Sequence, residues 1–151
     1  MSTLDLLCKE LETICHDSIP LSKSMQLTIE SFENNILVSK AKLAPNINVH
    51  GTAFAGSLYS VQALTGWGMI WLQLKLAGFD EASIVIASGQ IDYMKPLKDD
   101  LITRCDFNGV SGALSELEKN DKTRFQLTCS VSGKGGLVSK FVGDYAVKLN
   151  R

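Results

Sequence analysis

The sequence predicts an α+β domain in which a six-stranded antiparallel sheet curls around one long helix. Three observations carry that expectation. The run from about Ala55 to Ala77 is apolar on nearly every side of a helical projection, and a helix apolar all round has to be buried all round. The segments before and after it alternate apolar and polar residues with the period of two that strands require. The element order is helix, two strands, long helix, four strands, so the strands must supply the wrapper. At 151 residues the chain is the size of one domain, taken as residues 1–151.

The elements follow in order. Leu4, Leu7, Cys8, Leu11 and Ile14 recur at helical spacing, which predicts an N-terminal helix over residues 3–16 that stops before Pro20. From Met25 to Leu43 the period becomes two. Met25, Leu27 and Ile29, then Ile36, Val38 and Lys40, alternate with their neighbours, and Glu33-Asn34-Asn35 forms the turn of a hairpin. Residues 44–52 are a loop by composition. In the long helix, Leu58, Val61, Leu64, Met69, Leu72 and Leu76 make a stripe that Trp67, Ile70, Trp71 and Leu74 widen, with Gly78 as C-cap. Trp67 and Trp71 read as core or dimer contacts. Strands are expected over 83–93, 101–107, 123–131 and 137–149, with turns at 98–100 and 133–136. The segment 109–121 reads as a solvated connector with room for an extra helical turn.

The bulk properties exclude several functions. A net charge of −1 gives no general attraction to nucleic acid or an anionic membrane. The most apolar stretch, Tyr59 to Leu76, is broken by Gln62, Thr65, Gln73 and Lys75, so it suits a buried helix better than a membrane span. Asp5, Glu10 and Glu12 stand where a secretory signal carries positive charge, and a cytoplasmic location is expected. Cys8, Cys15, Cys105 and Cys129 form no CxxC pair and no cluster with His16 or His50. Reduced thiols are expected, with no metal and no cofactor. Gly133-Lys134-Gly135-Gly136 reads as a hairpin turn rather than a nucleotide motif.

Chemistry concentrates where the loop enters the long helix, in Asn48-Val49-His50-Gly51-Thr52-Ala53-Phe54-Ala55-Gly56-Ser57. The first N–H groups of a helix lack intrahelical partners and sit at the positive end of its dipole. Aimed at a thioester carbonyl in an apolar pocket, they stabilise an oxyanion or enolate. Asn48 offers a further amide donor; Ser57 lies in the first turn and Ser60 one turn on. The plainer alternative is that Ser57 or Thr52 caps the helix, that the glycines serve packing, and that Asn48 is a turn residue with an Asx-type bond. Lys95, Lys98, Arg104, Lys134 and Lys140 are either a basic rim for an acidic carrier or coenzyme phosphates, or a solvated scatter. Asp92 reads as an outward-facing strand carboxylate.

The stretch Asn48 to Gly56 resembles the hotdog-fold thioesterases, whose loop and helix start read N-x-H-G-T-x-H-G-G. Ile91-Asp92-Tyr93-Met94-Lys95-Pro96-Leu97 resembles a strand end of that fold. More narrowly, Ala44 to Gln73, with Leu64-Thr65-Gly66-Trp67-Gly68-Met69, is similar to the thioesterase group of the YiiD C-terminal-domain type. The resemblance implies a hotdog domain, a homodimer or dimer of dimers with acyl sites at the subunit interface, and an acyl thioester of acyl carrier protein or coenzyme A as partner. Members of the group are connected with decarboxylation of malonyl-acyl carrier protein to prime fatty-acid synthesis.

Carried over by position, Asn48 matches the polar activator of the thioester carbonyl, and Ala55 falls where a glycine N–H polarises it. The match then breaks. Eight residues further on these thioesterases place a carboxylate, and here stands Ala63; no Asp or Glu occurs between His50 and Gly78. Hydrolysis needs a base to activate water. Decarboxylation of a malonyl thioester needs only stabilisation of the enolate, since departing CO₂ requires no proton acceptor. The expected catalytic set is therefore Asn48, Ala55, Gly56 and Ser57, with His50, Thr52, Phe54, Tyr59 and Ser60 as substrate-binding residues and Leu58 in the pocket wall. A thioesterase using His50 or a partner's carboxylate, a non-catalytic acyl-binding module and, last, a dehydratase are the rivals.

Overall fold

The computed structural model describes residues 1–108, 110 and 113–150. Helix α1 spans Thr3–Ser18 and opens on a capping box, Ser2 Oγ accepting from Asp5 N–H while the Asp5 carboxylate accepts from Ser2 N–H. The expected stop before Pro20 is present, but Pro20 also starts a second, short helix, α2 (Pro20–Ser24), using proline at the first helical position. The hairpin follows as β1 (Leu27–Glu33) and β2 (Ile36–Ala41), with Asn34 and Asn35 at positive φ in its turn. A 3-10 turn at Ala44–Asn46 interrupts the loop before the central helix α3 (Ala55–Leu76). Then come β3 (Ala82–Tyr93), β4 (Leu101–Asp106), helix α4 (Ala113–Asn120), β5 (Lys122–Gly133) and β6 (Gly136–Leu149). In the connector expected over 109–121, Gly109, Ser111 and Gly112 lie outside the described residues, and the rest carries two turns of helix where one was expected.

All six strands form one sheet in the order β1-β2-β4-β5-β6-β3, with every neighbouring pair antiparallel. The sheet wraps α3, which is the hotdog arrangement. Inward alternation is clear in β4 (Leu101, Thr103, Cys105) and β5 (Phe125, Leu127, Cys129, Val131). Gly66 has a specific reason: the Tyr145 hydroxyl donates to the Ala63 carbonyl at 2.7 Å, and a Cβ at Gly66 would collide with that hydroxyl. A polar seam crosses the core. Ser39 and Thr65 bond through their hydroxyls at 2.7 Å, and Gln62 Nε2 donates to Leu58 O and Ser139 Oγ, both at 3.0 Å.

The two sheet edges differ. Helix α1 packs along β1, Glu12 accepting from Ile29 N–H and the His16 ring bonded to Leu27 O, both at 2.6 Å. Among the described residues no strand pairs with the outer edge of β3, and Val85, Ile86 and Tyr93 are exposed there. Trp67, half-buried, ties α3 to this strand by donating to Ile84 O at 3.1 Å. No helix among the described residues is long and apolar enough to cross a membrane.

Candidate active site at the start of the central helix

The entry loop is held from below by Asn46, a buried residue whose amide donates to Met25 O at 2.9 Å and Lys42 O at 2.6 Å. Asn46 O in turn accepts from Phe54 N–H at 2.7 Å, and Ala53 N–H donates to Leu97 O at 2.8 Å. The Asp100 carboxylate accepts from Leu43 N–H at 2.8 Å and faces Lys42 and Lys40; that bond, then those ammonium groups, hold it below its ordinary carboxylate value. The tip of the loop is tied by Asn48. Its Oδ1 accepts from His50 N–H (2.9 Å) and Thr52 N–H (3.1 Å), and its Nδ2 donates to Thr52 Oγ1 (2.8 Å). Gly51 sits at φ +75°, the left-handed conformation this tight loop needs. Asn48 is thus an Asx-type lock first, with one amide proton not fully committed: its longer contact is 3.4 Å, to Ala53 O.

The helix start is bare. Phe54 is the N-cap, and no side chain caps the helix. Thr52 is turned back to Asn48, and Ser57 makes no capping bond. The first N–H with a backbone acceptor is that of Leu58, which donates to Phe54 O at 3.0 Å. The N–H groups of Ala55, Gly56 and Ser57 have no partner among the described residues. Three aligned donors at the positive end of a 22-residue helix therefore face outward.

A pocket of about 280 Å³ opens beside them, with Phe54, Gly56, Ser57 and Ser60 on one wall and Leu21 and Ser24 of α2 among the residues opposite. Two residues expected in this wall lie elsewhere. Leu58 is buried in the core beneath the helix start, and Tyr59 turns toward the sheet, its ring edge-on to Phe141 of β6 at 5.0 Å and its hydroxyl over Gly89 of β3. Helical geometry explains this: Ser57 and Ser60 are three apart and share a face, whereas Leu58 and Tyr59 point to the flanking directions. His50 is exposed, and its imidazole has no bonding partner among the described residues. Of the five basic residues, Lys95, Lys98 and Lys134 come together around one pocket; Arg104 and Lys140 do not join them. Asp92 is exposed opposite Lys140, facing outward.

Sequence reasoning missed Asn46, whose anchoring role shows only in its long-range bond to Met25, and Tyr93. The Tyr93 hydroxyl donates to Ala55 O at 2.9 Å, which fixes the end of β3 against the first turn of α3. Burial, with Tyr59 nearby, pushes its pKa above the ordinary tyrosine value, so it stays a donor. Position at a strand end was the only signal available for it. Among the described residues, no three His, Cys, Asp or Glu side chains gather as metal ligands would.

A family model described as "Putative thioesterase (yiiD_Cterm)" matches residues 8–149. The chain belongs to this family. A crystal structure of the putative thioesterase from Shewanella oneidensis is 36% identical with a TM-score of 0.89, covering 97% of this chain and 99% of that one. A protein of unknown function from Chlorobaculum tepidum is 27% identical, also at TM-score 0.89, with 98% of each chain covered. A thioesterase from Haemophilus influenzae shares the fold at 12% identity and TM-score 0.71, covering 99% of this chain and 92% of that one. Family and fold are those of thioesterase-like enzymes, while α3 lacks any carboxylate.

Proposed function

We propose that this protein decarboxylates a malonyl thioester, carried by acyl carrier protein or coenzyme A, to the acetyl thioester that primes fatty-acid synthesis. The observation that carries the reading is the trio of unpartnered N–H groups at Ala55, Gly56 and Ser57, set in a helix without a carboxylate. In this reading the thioester oxygen sits against those donors, joined by the less committed Asn48 amide proton. Ser57 contacts the malonyl carboxylate or the enolate, and Phe54 and Ser60 line the approach. The Cα–CO₂ bond breaks, its electron pair passes into the thioester to form an enolate, and a proton from water completes the acetyl group. His50 and Thr52 belong to the supporting loop.

The chain acts in the cytoplasm as a homodimer or dimer of dimers, joined along β3, whose open edge and exposed Val85 and Ile86 supply the self-complementary surface. The family's description supports a second reading, hydrolysis of an acyl thioester, for which a base must come from His50 or from a second copy. Mass spectrometry of malonyl-acyl carrier protein and malonyl-coenzyme A after incubation, beside saturated acyl thioesters, separates the two. Malonyl converted to acetyl with the thioester intact is the expected result. Free thiol from a saturated acyl thioester, with malonyl untouched, establishes the hydrolase. No turnover of any substrate, with tight binding, leaves an acyl-binding module.

A further inference from the structure

The segment between β3 and β4 crosses the open ends of β5 and β6. Met94 N–H donates to Val138 O at 2.8 Å, and Leu97, buried, closes the small core cluster under the start of α3. The β5–β6 hairpin ends in the same place, with Lys134 and Gly135 as its two-residue turn and Gly136 at φ +106°. Between crossover and turn lies a pocket of about 390 Å³ whose charged lining is Lys95, Lys98 and Lys134 against a single carboxylate, Asp99. None of the three lysines has an ion-pair partner among the described residues. Lys95 is already oriented: its ammonium donates to Gly135 O at 2.5 Å, which stations it over the turn with two of its three protons still to place.

This pocket is coupled to the helix start by one residue. Leu97 forms part of its wall, and the Leu97 carbonyl is the acceptor for Ala53 N–H, two residues before Ala55. Following the backbone from Ala55 to Ala53, across that bond and out along Lys98 bounds the separation at on the order of 15 Å. An extended pantetheine arm, built from two amide units and a thiol end, has a span of the same order and carries a phosphate at its far end. Lysine binds phosphate as a point charge without needing fork geometry, which suits flexible side chains converging from two loops.

We infer that Lys95, Lys98 and Lys134 hold the phosphate of the phosphopantetheine arm whose thioester lies at the start of α3. This inference rests on the acyl-thioester reading above and adds to it the site that grips the carrier. The phosphate is common to coenzyme A and to the arm of a carrier protein, so the site serves either source. A second basic hollow, on the outer sheet face with Lys122, Arg124 and Lys148, has an equal number of cations but lies at the opposite end of β3. It therefore provides a matched control.

The test is calorimetric titration of pantetheine, 4′-phosphopantetheine and coenzyme A into the wild-type protein, the triple variant Lys95→Ala/Lys98→Ala/Lys134→Ala, and the control Lys122→Ala/Arg124→Ala/Lys148→Ala. Wild type is expected to bind both phosphate-bearing ligands about ten-fold or more tightly than pantetheine, an advantage that added salt erodes. The triple variant should lose that advantage while keeping pantetheine affinity, and the control should stay within about two-fold of wild type. Unchanged phosphopantetheine binding in the triple variant overturns the site. So does a loss confined to coenzyme A, which would assign the lysines to the nucleotide, or an equal loss of pantetheine in a variant whose circular dichroism matches wild type, which would show that the lysines do not read the phosphate. If wild type binds none of the three ligands yet turns over malonyl or acyl thioesters, this site fails and the acyl-thioester reading stands; no binding and no turnover removes both. Carrier-protein use is read separately, from the Michaelis constant for malonyl-acyl carrier protein in the same variants.

Discussion

The two ends of α3 are made from one continuous helix and do opposite work. In the C-terminal half, Met69, Ile70, Leu72 and Leu74 are buried among Leu11, Leu37 and Phe125. At the N-terminal end Phe54 is 53% exposed, Val49 is 95% exposed, and three N–H groups go without partners. The packed end supplies stability through burial; the open end leaves its first N–H groups without partners among the described residues, the feature on which the proposed function rests. The difference is one of degree: the C-terminal half is buried in the main core, while the helix start rests on the smaller cluster of Ala53, Leu58, Val61 and Leu97 and leaves its outer side open.

Substitutions can break that division, and the largest effect belongs to the packed end. Leu72→Ala should cost about 2–5 kcal/mol in urea denaturation, whereas Phe54→Ala should cost under about 1 kcal/mol. Equal costs would contradict the division. A pH dependence sharpens the same point. Burial, with Glu12 second, pushes the Cys15 thiol from 9.0 up to about 11. Because the folded value is raised, folding favours the neutral thiol: the stabilisation is fully present below pH 9 and disappears as pH rises from about 9 to about 11. It amounts to something on the order of 2 kcal/mol. Denaturation midpoints at the two ends of that window should fall less for Cys15→Ala than for wild type.

At the open end the measurement is turnover rather than stability. Asn48→Ala should lower malonyl-thioester turnover by about 100-fold, with a circular dichroism spectrum like that of wild type. An unchanged rate removes Asn48 from the mechanism. Ser57→Ala should lower turnover by about ten-fold and leave stability within about 0.5 kcal/mol, since Ser57 makes no capping bond to lose. A stability loss near 1 kcal/mol with unaltered turnover would instead restore the capping role. Tyr93→Phe, which removes only the bond to Ala55 O, should reduce turnover by a few-fold at most.

Much of the fold was legible because its signals are local. The turn at Glu33-Asn34-Asn35, the burial of α3 and the strands around it follow from periodicity and turn chemistry. Helices α2 and α4 were harder for a physical reason. Five residues are too short to display a helical stripe, and among the described side chains of α4 only Leu117 is fully buried, with Leu114 partly so, amid charged neighbours. Strand β3 is present as expected, but its place at the open edge of the sheet, with Val85 and Ile86 exposed there, is not written in its spacing. At the candidate site, the segment Asn48–Ser57 stood out in sequence, but which of its polar groups are occupied did not. The Asn48–Thr52 bonds close within five residues and agree with the turn reading. The bare helix start is an absence, and no residue type announces it.

By itself the sequence determined the element types, the burial of the central helix and the lack of a carboxylate along it, because each depends on residue identity and short-range spacing. Only the tertiary structure decided the strand order, the open β3 edge, the Asn46 anchor and the meeting of Lys95 and Lys98 with Lys134. Those rest on contacts between residues tens of positions apart, where periodicity carries no information and chain closure around one core selects the partners.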